Sequence, residues 1–117
     1  MIPKFRARDE RGNWHVGLLT FMFGQYAIVN ETDENTVYLI DKETIGQFIG
    51  LKDKNGVEIF EGDIGWDDHQ EVHGQVIFEN GAFKYEWENI SEDLFEATDD
   101  IEIVGNIHEN PELLEVK

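Results

Sequence analysis

The chain has 117 residues, 40% of them hydrophobic, which is enough for one domain with its own core. Cysteine is absent, excluding disulfides, thiolate metal sites and cysteine nucleophiles. The net charge of −17 is unevenly placed: residues 1–57 hold 8 Asp+Glu against 7 Lys+Arg, and residues 58–117 hold 18 against 2, so the second half repels phosphate backbones and suits a basic partner.

The start, MIPKFRARDERG, is charged with no apolar run behind it, and no stretch approaches the roughly 18–20 apolar residues of a membrane span. A secretory leader and a spanning helix are not expected; a soluble protein of the bacterial cytoplasm is. Short alternating runs then follow one another, the pattern of β-strands. Phe5 and Ala7 alternate with Lys4, Arg6 and Arg8. Glu10-Arg11-Gly12-Asn13 turns the chain into Trp14–Leu19, and Tyr26–Val29 and Thr36–Ile40 follow, separated by the polar stretch NETDEN. Ile45–Leu51 and Val57–Phe60 flank Asn55-Gly56, which reads as a two-residue type I′ turn because both central residues need positive φ.

Glu61-Gly62-Asp63 leads into a strand at Ile64–Trp66, with Gly62 free to take an angle closed to other residues. A loop over Asp67–His73 is expected next, then Gln75–Phe78, a second Asn-Gly turn at Asn80-Gly81, and Ala82–Trp87 returning antiparallel. In KYEWE, Glu86 and Glu88 alternate with Tyr85 and Trp87, one solvated face and one buried. Ser91 is suited to cap a helical turn within 91–97, and Asn110-Pro111 to open another over 111–115. Ile101–Ile107 is the last strand.

Candidate chemistry is sparse. His69 and His73 lie four apart beside Asp67, Asp68 and Glu71, a weak zinc candidate. The protease pattern needs Glu directly after the first His, whereas Gln70 follows, and helical spacing means nothing between two strands. Ser91 is the only serine, in a capping position and without a local His and Asp to make a triad. With 26 acids, some carboxylate pair always lies at glycosidase spacing, so the pairs do not point to catalysis. No phosphate-cradling glycine loop is present, and no cofactor is expected. Lys4, Arg6, Arg8 and Arg11 form the basic cluster, which can bind nucleic acid or pair with acids of the chain's second half; the intramolecular pairing is preferred.

The run TIGQFIGLKDKNGVEIFEGDI (Thr44–Ile64), with KFRARD (Lys4–Asp9) before it and IEIVGNIHENPELL (Ile101–Leu114) after it, resembles the YopX family of phage and prophage proteins across almost the whole chain. The resemblance implies a β-rich fold with an SH3-type barrel and a phage-borne gene. It carries no catalytic residues, because no activity is established for the family. Gly65 departs from the family, which often has a β-branched residue there, so a bulge is expected at that strand.

The expected fold is thus mostly β, one YopX-like domain over 1–117. An N-terminal antiparallel sheet layer (1–50) joins a C-terminal SH3-like small barrel with its last strand (51–117). Asn55, Gly56, Gly62, Asp63, Asn80 and Gly81 are expected to be structural turn residues rather than a site. The expected function is a non-catalytic protein-interaction module acting on a host or phage protein with a basic surface. The alternative is a small barrel that binds nucleic acid through the N-terminal basic strand. Homo-oligomerisation is left open.

Overall fold

The structure, a computed structural model, describes residues 3–115. Eleven strands dominate, in two compact units, residues 1–48 and 49–117. In the first, β1 (Phe5–Arg8), β2 (Trp14–Met22), β3 (Gln25–Asn30), β4 (Val37–Leu39) and the start of β5 (Gly46–Lys52) form an antiparallel sheet in the order β4-β3-β2-β1-β5. Its core is Ala7, Ile28 and Ile40, with Phe5, Leu19, Tyr38 and Ile45 packed against them.

This sheet is rolled. Tyr38 pairs with Ile28, and Ile28 with Leu19. On a flat sheet Tyr38 would then lie roughly 16 Å from His15, given strands about 4.8 Å apart and a rise of about 3.3 Å per residue. The two rings are instead stacked with centroids 3.6 Å apart. The chain after β4 also returns to β1, where the Asp41 amide donates to the Arg8 carbonyl at 2.8 Å. A 3-10 turn at Lys42–Thr44, which the sequence pattern did not signal, secures the return. The Thr44 hydroxyl accepts the Arg8 amide at 2.8 Å and donates to the Asp41 carbonyl at 2.7 Å.

In the second unit β6 (Glu58–Phe60) pairs with the end of β5. The strands β7 (Asp63–Asp67), β8 (Val72–Glu79), β9 (Ala82–Trp87), β10 (Ile90–Asp93) and β11 (Ile101–Asn106) make a second antiparallel sheet, ordered β10-β9-β8-β7-β11. Its core gathers Ile59, Val76, Tyr85, Trp87, Leu94, Ala97 and Ile101. Burial of Tyr85 and Trp87, and not of Glu86 and Glu88, follows the alternation read from KYEWE. The sheet is open between β10 and β11, so the closure of an SH3-type barrel is not made. The outer side of β11 is instead met by the β5–β6 loop: Ile103 donates its amide to the Asp53 carboxylate at 2.8 Å, and the Lys54 amide donates to the Ile101 carbonyl at 3.1 Å.

Several local expectations need correction. Ser91 does not cap a helix; it is exposed on β10 opposite Glu86, and the helix α1 (Leu94–Ala97) starts after Asp93. The strand β10 was missed because exposed Ser91 and half-buried Glu92 are both polar and break the apolar pattern. The loop over Asp67–His73 is shorter, since β7 includes Asp67 and β8 already includes His73. The irregularity expected at Gly65 lies on the opposite strand. Gly65 stays in register with Gly74 and Ile103, and Val104 of β11 is the extra residue. Gly65 and Gly74 instead make room for the Tyr85 ring, since a Cβ at Gly74 would come within 2.5 Å of it.

Candidate functional site

The turn residues occupy different geometries. Asn80 and Gly81 both have positive φ (52° and 80°) and join Glu79 to Ala82, as a type I′ turn requires. Asn55-Gly56 is not such a turn, because only Gly56 is left-handed (φ 82°). Gly56 donates its amide to the Asp53 carbonyl and Asp53 to the Val57 carbonyl, so a three-residue loop closes with Gly56 as the bulge residue. The Asp53 carboxylate accepts the amides of Asn55 (2.8 Å) and Val57 (2.9 Å) besides that of Ile103. Burial raises its pKa, but these three donors more than reverse the effect and hold it below the ordinary 3.8. Gly62 adopts φ 92°, and buried Asp63 accepts the Phe60 amide at 2.7 Å. The Asp53 and Asp63 carboxylates thus secure backbone.

His69 and His73 lie on different elements, the β7–β8 loop and β8. His69 sits in the β7–β8 loop, its amide donating to the Asp67 carboxylate at 2.9 Å, while the His73 ring lies 4.7 Å from the Trp66 ring. Among the described residues no three His, Asp or Glu side chains gather as a metal-ligand set. Trp66 donates its indole N–H to Asp68, which also pairs with Lys54 at 3.0 Å.

The N-terminal cations meet aromatic rings. Arg6 and Arg8 lie 5.2 and 5.7 Å from the Trp14 ring, and Lys4 lies 4.5 Å from the Phe48 ring and 3.7 Å from Glu31. The expected pairing is with acids of the second half; within the first unit these cations lie over aromatic rings, and Lys4 also meets Glu31. Of the two cations in the second half, Lys84 pairs with Asp93 at 2.7 Å, and Lys117 lies outside the described residues.

The feature that sequence reasoning missed is the β2–β3 hairpin. Met22 pairs with Gln25, so Phe23 and Gly24 form a two-residue turn, with φ of 52° and 76°. Phe23 is 93% exposed, and Phe21 (61% exposed) meets Tyr26 edge-on with centroids 5.1 Å apart. A bulky aromatic residue at positive φ is an outlier, disfavoured by of order 1–2 kcal/mol. Phe23 offsets none of this by burial. The available signal was Gly24 after an alternating run, a weaker turn mark than Asn-Gly.

Beside the tip an open cavity of about 780 Å³ lies between Phe21, Tyr26 and Leu39 on one side and the β1–β2 loop on the other. Two of its three acids, Asp9 and Asp41, are engaged. The Asp9 carboxylate accepts the Arg11 and Asn13 amides, both at 2.9 Å, and meets His15 Nε2 at 2.8 Å; Asp41 accepts the Glu43 amide at 3.0 Å. The His15 contact and the Asn13 amide hold the Asp9 carboxyl below its usual range. His15 is itself held by stacking on Tyr38.

Among the described residues no helix is long and apolar enough to cross a membrane. No curated protein matches the chain. Among solved structures it is similar to the crystal structure of protein EF1440 from Enterococcus faecalis, with 32% identity over 98% of this chain and 99% of that one, at a TM-score of 0.68. The family described as YopX protein matches residues 4–115, nearly the whole length, and the chain therefore belongs to the YopX family.

Proposed function

We propose that the protein is a non-catalytic interaction module of a phage or prophage, working in the cytoplasm of the bacterial host, and that it grips a partner protein with the tip of the β2–β3 hairpin. The observation that carries this reading is Phe23, an aromatic side chain almost fully in solvent at a backbone angle that disfavours it. Strain of this kind persists where function over-rides local stability. Exposed aromatic anchors supply much of the energy in protein interfaces. Phe21 and Tyr26 broaden the anchor. The phage origin rests on the YopX family alone. On the same reading the second unit is an opened variant of the SH3-type small barrel.

Nucleic-acid binding through the N-terminal strand is less well supported, because Arg6 and Arg8 already lie over Trp14. The test is a photo-crosslinking phenylalanine analogue at position 23, with the same group at position 80 as control, in host cells carrying the protein. The expected result is a discrete protein adduct from position 23 and none from position 80. No adduct, the same adducts from both positions, or adducts to nucleic acid would each overturn the reading.

A further inference from the structure

The second unit has an apolar groove of about 300 Å³, formed by Ile49 and Leu51 of β5, Ala82 and Phe83 of β9, and Leu94 and Phe95 at α1. Phe95 is 63% exposed, and Phe78, which meets Phe83 edge-on at 5.0 Å, is also exposed. Small-molecule sites span roughly 300–1,000 Å³, so this groove is at the lower limit for a cofactor and suits one or two side chains. Its surroundings are acidic. Residues 91–100, SEDLFEATDD, hold five acids and no cation, and residues 49–117 hold 19 Asp+Glu against 4 Lys+Arg. Lys84 is paired with Asp93 at the rim, and its proton is held more tightly by Asp93, with Glu79 and Glu96 adding to the effect. Burial, and then the fields of Glu96, Asp100 and Asp67, raise the Glu92 carboxyl, so the acids near α1 crowd one another.

We propose that this groove is a docking site for a basic amphipathic segment of a partner protein, whose apolar side chain seats against Leu51, Phe83 and Phe95 while a flanking Lys or Arg meets Glu96. The acids exclude an acidic or phosphorylated segment and favour a cationic one, and the apolar floor distinguishes an amphipathic segment from a merely basic one. The site lies in the second unit and stands independently of the hairpin.

The test uses the full chain and three fluorescent peptides, read by anisotropy at low and physiological salt. One alternates Leu with Lys, the second replaces each Lys by Gln, and the third replaces each Leu by Ser. The first should bind, and the other two should bind at least about tenfold more weakly. Its affinity should fall as salt rises. Phe95→Ser and Glu96→Gln should each weaken the first peptide, with amide NMR shifts confined to β5, β9 and α1. Equal binding of the Ser peptide would reduce the groove to a generally acidic coat. Equal binding of the Gln peptide would remove the role of the acids. Failure of the first peptide to bind, insensitivity to Phe95→Ser in a folded variant, or shifts elsewhere would overturn the site.

Discussion

Two hairpins, one in each unit, turn on the same backbone and differ in the residue at the tip. Phe23-Gly24 and Asn80-Gly81 are both two-residue turns whose first residue has φ 52°, with φ of 76° and 80° at the glycine. In β8–β9 the first turn residue is Asn, which tolerates a left-handed angle, and the aromatics Tyr85 and Trp87 on the following strand face inward. In β2–β3 the same position holds Phe, and Phe21 and Tyr26 lie outward. Identical turn geometry therefore does not require an aromatic residue at the tip. Both hairpins carry an edge-on aromatic pair just before the turn, Phe21–Tyr26 and Phe78–Phe83, so what separates them is the tip, where Asn80 suits the left-handed angle and Phe23 does not.

Deleting one aromatic from each hairpin gives the largest expected effect. Tyr85 is buried with its ring over the Gly65–Gly74 pair and beside Trp87, their centroids 5.8 Å apart. Its hydroxyl makes no hydrogen bond of normal geometry, although the Gly74 backbone lies close enough to favour ionisation slightly against the larger effect of burial, which drives its pKa well up. Tyr85→Ala should destabilise the second unit by about 3–5 kcal/mol, as for other buried aromatics. Phe21→Ala should remove less than about 1 kcal/mol, because its ring is largely solvated. Urea denaturation followed by hydrogen exchange in each unit separates the two. Similar losses would mean that the outward aromatics are structural after all.

A second pair of loops explains what the sequence made legible and what it hid. Asp9-Glu10-Arg11-Gly12-Asn13 and Asp53-Lys54-Asn55-Gly56-Val57 share one plan. In each, the glycine has positive φ (88° and 82°) and donates to the aspartate carbonyl, and the carboxylate accepts amides two and four residues on. Strand alternation, the two turns and the buried face of β9 could be read because they are local and periodic. The D-x-x-G plan was also local, but the Asn-Gly pair at 55–56 matched a commoner turn. The third partner of each aspartate could not be read at all. His15 takes that place in one loop and the Ile103 amide, fifty residues along the chain, in the other. The docking groove was hidden for the same reason, since β5, β9 and α1 are distant in sequence. The hairpin tip was missed because Phe-Gly carries a weaker turn signal.

That difference in third partner sets the next expectation. Asp53→Ala leaves three amides without their acceptor, one of them on β11, and should cost about 2–3 kcal/mol. Asp9→Ala, in an exposed loop, should cost less. Because the folded pKa of Asp53 lies below 3.8, its contribution is fully present above that value and is lost as pH falls through the folded pKa. Acid titration of stability should therefore show a loss below about pH 4 that is smaller in Asp53→Ala. An identical acid limb in both proteins would show that Asp53 does not carry it.

The smallest effect is the most telling, because its sign and not its size is at issue. Exchanging the first turn residues should move stability in opposite directions. Asn80→Phe places a bulky residue at φ 52° and should cost about 1 kcal/mol, while Phe23→Asn relieves the same strain and should add up to about 1 kcal/mol. A mutation that removes an aromatic side chain and raises the denaturation midpoint would show that Phe23 is not there for the fold. The same variant should retain less partner than the native protein, because the exposed ring is gone while the turn is kept. If Phe23→Asn instead lowers the midpoint, Phe23 makes stabilising contacts that outweigh its backbone angle, and the strain argument for the hairpin tip fails. If it raises the midpoint and partner capture is unchanged, the tip is strained without being the contact, and the interaction must be carried elsewhere in the chain.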